Sequence, residues 1–367
     1  MRVLVTGSDG FIGKNLVVKL REKDVAVVPF GSKETFAKLQ ELIGTIDFII
    51  HLAGVNRPKN VDEFAAGNSK LTHKICDLII RSGFKIPILF SSSIQAGLDN
   101  PYGISKLESE QILLEYSKKQ NIAVYIYRLP NVFGKWCRPN YNSVVATFCY
   151  NIINDLPIHI SDANVLLRLV YVDDVISAFV NSLQRMPETS YCEVSPIYSI
   201  TVGKLAEQLK LFKTSRKSMM IDSVGYGLSR ALYSTYVSYL GPKQFSYCLP
   251  KHEDARGFFV EVLKTKHSGQ FSYFTAFPGI TRGGHYHHTK TEKFLVVKGE
   301  ARFCFRNIIT GEKYSYCVSD TVPEVVETVP GWVHNITNIG NDEMIVLLWA
   351  NEIFDHKQPD TIVSGVE

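Results

Sequence analysis

The apolar pattern of this 367-residue chain changes character once, near residue 244, and that change limits its folds more than any other feature. Before it, the short runs RVLVTG, VAVVPF, FIIHLAG, IPILFSSS and VYIYRLP alternate with helical stretches such as KNLVVKLREK and SKLESEQILLEYSKK. Strands separated by helices pair in parallel, with helices covering both faces of the sheet. After it come FFVEVLK, YFTAFP, KFLVVKG, ARFCFRN, KYSYCV, EVVETV and MIVLLWA, joined by Gly, Pro, Asn and Asp turns with little helix between them. That pattern predicts an antiparallel barrel or sandwich. Gly241 and Pro242 punctuate SYLGPKQFSY, so the expected domains are residues 1–243 and 244–367. The length is too great for one typical core and comfortable for two.

Composition removes several classes of function. Forty basic residues against 36 acidic ones leave +4, too slight and too evenly spread for nucleic acid or a membrane surface. No apolar run reaches the roughly 20 residues of a membrane helix. The N-terminal MRVLVTGSDGFIG lacks a cleavage region and reads as a first strand. Seven cysteines without a CxxC pair suggest reduced thiols and a cytoplasmic protein, with Cys149, Cys304 and Cys317 packed in apolar stretches.

The stretch TGSDGFIG sets Gly7, Gly10 and Gly13, with Phe11 and Ile12 between them, after the first strand and before a helix. Glycines there let the backbone approach a pyrophosphate, and the helix N-terminus favours its charge. The expected fold is a Rossmann-type doubly wound parallel sheet binding a dinucleotide. An acidic residue ending the second strand would take the ribose 2′-hydroxyl of NAD. Here Gly31, Ser32 and Lys33 follow VAVVPF, and Ser32 and Lys33 would accept a 2′-phosphate, which favours NADP(H). The plainer reading of Lys33 is a solvated loop charge.

Further on lies FSSSIQAGLDNPYGISK. Tyr102 and Lys106, four apart, share one helix face. A neighbouring ammonium favours the phenolate form of a tyrosine. Ser93, ending a strand, could hydrogen-bond a substrate carbonyl, with Ser91 and Ser92 as alternatives. Together they form a proton-delivery device beside a nicotinamide. Over residues 1 to 240 the chain resembles the extended short-chain dehydrogenase/reductases. By that resemblance Leu52, Ala53 and Gly54 of DFIIHLAG lie beside the adenine ribose and nicotinamide. Asn131 of RLPNVFG would face the substrate's pyrophosphate. LVYVDDV resembles the family's HVDD segment, with Tyr171 in place of histidine. The nine-residue step from Ser93 to Tyr102 is shorter than is usual in that family and removes a loop that often shapes the substrate site.

In TRGGHYHHTKTEKFLVVKGE, the spacing from Gly279 through His285, His287 and Glu292 to Gly299 matches the first cupin motif, G(x)5HxH(x)4E(x)6G. Residues two apart on a strand point the same way. PGWVHNITN adds His334 and Asn338, close to the second cupin motif with its P-x-G compressed. Three imidazoles and a carboxylate in an all-β cupin barrel make a divalent-metal site: Zn by default, with Fe, Mn and Ni open. EDARGFFVEVLK resembles the DxRGxFxE segment of nucleotide-sugar 3,5-epimerases, matching at Asp254, Arg256, Gly257, Phe258 and Glu261. Arg256, Phe258 and Glu261 are accordingly expected to contact substrate. RGGHYH resembles those enzymes' RGLHYQ, whose histidine is a base. His285 therefore matches both a metal ligand and a base, and one nitrogen cannot serve both roles well. His288, Tyr286 and Lys293 are the nearest spare bases; His288 is equally a substrate-contacting residue or an outward surface one.

The order of the two domains resembles a family of bifunctional capsular-polysaccharide enzymes on the route to UDP-N-acetyl-L-fucosamine. HLAGVNRP, SSSIQA, NPYGISKLESEQ, FGKWCRPNYNSVVATFCY, YSTYVSYL, HHTKTEKFLVV and NEIFDHKQPDT carry that likeness through both domains. It implies a UDP-sugar substrate, a homodimer and two reactions. The barrel would epimerise C3 of UDP-2-acetamido-2,6-dideoxy-4-hexulose, and the first domain would reduce C4 with NADPH to UDP-2-acetamido-2,6-dideoxy-L-talose. The chemistry is coherent, because a C4 ketone acidifies the C3 proton and reduction then traps the epimer. The alternatives are a single-function reductase with a structural, dimerising barrel; a dehydratase or 4-epimerase recycling bound NAD; and an NADP-sensing binding protein.

Overall fold

The computed structural model describes residues 1–184 and 188–367. They form two compact units: Met1–Lys210 with Arg230–Leu240, and Leu211–Ser229 with Gly241–Glu367. The division is not one cut near residue 243. Leu211–Ser229 goes with the second unit because the amide of Ile221 donates to the carbonyl of Lys264, whose own amide donates to Met219.

In the first unit the strands are β1 (Arg2–Thr6), β2 (Ala26–Phe30), β3 (Phe48–His51), β4 (Ile88–Ser93), β5 (Val124–Leu129), β6 (Asn131–Phe133), β7 (Leu166–Tyr171), β8 (Ser190–Cys192) and β9 (Tyr198–Thr201). A six-stranded parallel sheet runs in the order β2-β1-β3-β4-β5-β8. Order reverses between β1 and β3, so both strands end beside one crevice, where open α/β sheets bind ligands. Alternating side chains feed two cores. Val3, Val5, Ile50, Leu89 and Tyr127 pack on one face, and Leu4, Ile49, Ile88, Phe90 and Ile126 on the other. Burial on both faces explains why these strands read as unbroken apolar runs. β6, β7 and β9 form a separate small sheet.

The second unit holds β10 (His252–Asp254), β11 (Gly257–Thr265), β12 (Gly269–Ala276), β13 (Thr281–Tyr286), β14 (Glu292–Lys298), β15 (Glu300–Asn307), β16 (Lys313–Ser319), β17 (Val325–Glu327), β18 (Trp332–Asn338), β19 (Met344–Ala350) and β20 (Ile362–Val363). Two antiparallel sheets, β10-β11-β12-β19-β14-β17 and β16-β15-β18-β13-β20, enclose a core of Phe274, Phe294, Phe303, Ile336 and Val346. This is the cupin-like barrel expected from the strand-rich second half. Among the described residues no helix is long and apolar enough to cross a membrane.

Candidate functional site

In the first unit the glycine-rich turn is built around its own close contacts. A Cβ at Gly7, φ +68°, would lie 2.8 Å from the amide of Ala53, and one at Gly13 would lie 2.2 Å from the Gly7 carbonyl. Thr6 Oγ1 accepts the amides of Leu52 and Ala53, both at 3.2 Å, tying the ends of β1 and β3 together. The turn can thus present backbone to a phosphate at the start of the helix Phe11–Glu22, as a dinucleotide requires. Gly54 packs against Asn68 and Lys106: a Cβ there would meet Asn68 Oδ1 at 2.7 Å and Lys106 Nζ at 3.5 Å.

Asn100 caps the helix Pro101–Gln120, accepting from the amide of Gly103 at 2.8 Å, with Pro101 in the first turn. The cap starts the helix beside β4, so Tyr102 and Lys106 emerge next to the serines. The three serines separate by role. Ser93 hydrogen-bonds the Tyr102 phenol, while Ser92 donates to Glu110. The Ser91 carbonyl accepts from Lys106 Nζ at 2.8 Å. Burial pushes the Tyr102 phenol above its ordinary range, and the Ser93 hydrogen bond works against that rise. The phenol is therefore a protonated acid at neutral pH. Burial lowers the Lys106 ammonium to about 8, with Glu110 opposing.

Glu110, fully buried, accepts from Arg128 Nη2 at 2.6 Å and Tyr191 at 3.1 Å. It stands four residues after Lys106 on the same helix and ties β4, β5 and β8 beneath the Tyr–Ser pair. Asn68 fixes the loop after β3, donating to Ser105 Oγ at 2.9 Å and to the Val55 carbonyl at 3.0 Å. Neither residue belongs to a recognisable motif. Asn131 is exposed and donates to the Arg168 carbonyl at 3.3 Å. At the end of β2, Lys33 is exposed as expected, but Ser32 is held by a carboxylate from the turn, Asp9.

In the barrel, β13 reaches the site through a bulge. Gly283 and Gly284, at φ +97° and +78°, shift the register so that His285 pairs across from His334 on β18. A side chain at Gly283 would lie 2.8 Å from the His334 carbonyl. The ligating atoms of His285, His287, Glu292 and His334 lie within 4.8 Å of one another, and all but His285 are buried. Ring centroids of the three imidazoles are 4.7 to 5.2 Å apart.

His287 Nδ1 faces the Asp360 carbonyl, which can only accept, so Nδ1 carries a proton and fixes the ring with Nε2 turned into the cluster. His287 Nε2 faces Glu292 Oε2 at 3.4 Å. Buried His334 points Nε2 at the same carboxylate oxygen, also at 3.4 Å, while its Nδ1 lacks a hydrogen-bond partner. Three imidazoles and a carboxylate converging in a largely buried site fit a divalent cation, and the orientation of His287 by a carbonyl is typical of ligand histidines. Burial, then the neighbouring imidazoles, lower His285 to about 4. Burial would raise Glu292, but His287, His334 and Lys290 hold its carboxyl far below the ordinary range.

A cavity of about 550 Å³ adjoins this cluster, lined in part by Phe259, Glu261, Gln270, Lys290 and Glu292. Of the expected substrate residues, Glu261 lines it, bonded to Gln270 at 3.1 Å and Lys264 at 2.8 Å. Arg256 is exposed and pairs with Asp254 at 2.5 Å, and Phe258 packs edge-on against Tyr273, so neither is in that lining. His288 is exposed, and its amide bonds Asp360. Lys293 is exposed and pairs with Glu327 at 2.5 Å. Tyr286 stacks edge-on with His288. The buried cation beside Glu292 is instead Lys290, 2.9 Å from Oε1.

The fold and the two residue clusters define a nucleotide-type α/β unit followed by a cupin-like barrel. Residues 3–192 match the NAD dependent epimerase/dehydratase family and residues 252–362 match the polysaccharide biosynthesis C-terminal domain. The chain is 55% identical to the UDP-2-acetamido-2,6-beta-L-arabino-hexul-4-ose reductase of Pseudomonas aeruginosa, over 100% of this chain and 99% of the relative. It is 26% identical to dTDP-4-dehydro-6-deoxyglucose reductase of Escherichia coli, over 59% of this chain and 83% of that one. Among solved structures it is similar to the capsular polysaccharide assembling protein CapF from Staphylococcus aureus, with a TM-score of 0.93, 43% identity and full coverage of both chains. The chain belongs to the family of two-domain proteins that includes the Pseudomonas reductase and CapF, an NAD dependent epimerase/dehydratase unit followed by a polysaccharide biosynthesis C-terminal domain.

Proposed function

We propose that this protein is a bifunctional UDP-sugar enzyme of capsule or O-antigen synthesis. The barrel epimerises C3 of UDP-2-acetamido-2,6-dideoxy-4-hexulose. The first unit then reduces the C4 ketone to give UDP-2-acetamido-2,6-dideoxy-L-talose. The observation that carries the reduction is the protonated, half-buried Tyr102 hydrogen-bonded to Ser93 behind a glycine-rich turn. It is supported by 55% identity to a named 4-ketosugar reductase across the whole chain.

A reduced nicotinamide dinucleotide supplies the hydride when bound, and the exposed charge of Lys33 attracts the 2′-phosphate of NADPH. Ser93 holds the ketone oxygen. Tyr102 delivers the proton that the forming alkoxide needs, and the charge of Lys106 behind it favours the phenolate left afterwards. Glu110 keeps β4 and the helix in register for that transfer.

In the barrel a divalent metal, Zn by default, would be held by His285, His287, Glu292 and His334 and would act as a Lewis acid or structural tie. Occupied in that way, His285 is unsuited to be the C3 base. Lys290 and Glu261 are among the polar groups lining the adjoining cavity, with His252, Glu352 and His356. A second reading rests on the relative's name, which covers reduction alone: a single-function reductase with a structural metal barrel. Incubating the ketosugar with NADPH tests the reduction. One equivalent of cofactor oxidised per sugar, with a C4 alcohol by NMR, is expected from native protein and not from Tyr102→Phe. Cofactor oxidation without a C4 alcohol contradicts it.

A further inference from the structure

The end of β2 carries no acidic residue in sequence, yet a carboxylate lies there in space. Asp9, from the glycine-rich turn, accepts the Ser32 amide at 3.2 Å and 3.1 Å and the Ser32 hydroxyl at 2.8 Å. The preceding residue is Gly31, and a Cβ on it would lie 2.5 Å from Asp9 Oδ1. The side chain missing from the strand end is thus replaced by one reaching across from the turn. The carboxyl is held below its ordinary range by the Ser32 hydroxyl and amide, then by Lys14, so it is an anion across the physiological range. It is exposed, beside open space of about 630 Å³ lined in part by Ser8, Pro29 and Trp136.

A ribose 2′-hydroxyl needs an acceptor at this place; a 2′-phosphate needs donors and positive charge. Asp9 supplies the first and uses up the donors of Ser32 that would serve the second. We propose that Asp9 is a specificity-determining residue for the dinucleotide's 2′ position. It accepts the hydroxyl of NADH, and it competes with the phosphate of NADPH for Ser32, leaving Lys33 as the main attraction for that phosphate. The site therefore takes both dinucleotides instead of excluding either. This rests on the dinucleotide reading of the first unit and adds the residue that tunes it.

The test is binding, by calorimetric titration of NADPH and NADH into the full-length protein, without substrate. Native protein is expected to bind both. Removing the like charge in Asp9→Asn should shift the NADPH-to-NADH affinity ratio toward NADPH roughly tenfold. Asp9→Ser, which also frees the Ser32 donors, should shift it at least as far, and thermal melts check that each variant is folded. Both shifts should shrink at high salt, as charge effects do. A ratio within twofold of native in both folded variants overturns the inference while leaving the dinucleotide site intact. Failure of native protein to bind either dinucleotide would instead overturn the reading beneath it, and the inference with it.

Discussion

The Tyr102 cluster and the histidine cluster are both catalytic-looking groups, but they are held in different ways. Tyr102, Lys106 and Glu110 stand one turn apart on a single capped helix, against the end of one strand. The four barrel residues come from β13, the segment after it, β14 and β18, and their convergence depends on a bulge. The first arrangement is set by 3.6-residue periodicity and the second by strand register. A local site should lose chemistry when one group is changed and keep its shape. A register-built site should lose its ligand and its shape together.

The largest effect expected is on the local site. Tyr102→Phe should cut the reduction rate by a factor on the order of 10² to 10⁴, the usual worth of a general acid, with an unchanged melting temperature. A fall in both would show that the helix is less self-contained than its cap implies.

Next, His285→Ala with His287→Ala should empty the barrel of metal by elemental analysis and lower its thermal stability, while the first unit still reduces a ketosugar already epimerised at C3. Retained metal would break the assignment of these ligands. Gly283→Ala addresses the register itself: a left-handed backbone there costs about 1–2 kcal/mol in any other residue, before the clash with the His334 carbonyl. Metal affinity should fall although no ligand has been touched.

Glu110→Gln should destabilise the first unit by about 1–3 kcal/mol, because Arg128 loses its buried counter-charge and an NH2 donor replaces one of the two oxygens that accept from Arg128, Tyr191 and Ser92. Arg128 is partly exposed, which keeps the cost toward the lower end.

The smallest effect is one of pH. Burial lowers Lys106 to about 8, so its charge is present below that value and lost as pH rises through it. The reduction rate should decline across the same window. In the unfolded chain the amine titrates near ~10.4, so burying it charged costs stability below about pH 8, and that cost is relieved as pH rises.

The same contrast explains what could be read from sequence. The strand–helix alternation, the glycine turn and the Tyr102–Lys106 spacing are local, and local periodicity is what a sequence displays. The histidine cluster of the barrel is legible only because its spacing matches a known motif; nothing local pairs His285 with His334. Asp360 orients His287 from 73 residues away, and Asp9 reaches Ser32 across 23. Such contacts leave no mark in either segment. The sequence points to Lys293 and His288, yet Lys290 is the buried one; the loop after β13 breaks the alternation that shows which side chains turn inward. Glu110 stands in sequence among the other charges of SKLESEQ, and its burial depends on Arg128 arriving from β5.

The claim that this chain carries two reactions is tested most directly by hydrogen exchange at C3. UDP-2-acetamido-2,6-dideoxy-4-hexulose is incubated in deuterated water without any dinucleotide and followed by NMR, using native protein and the His285→Ala, His287→Ala variant. The account predicts deuterium entering C3 with native protein and not with the variant. No deuterium at C3 even with native protein would contradict it, and the protein would be a reductase whose barrel has a structural role.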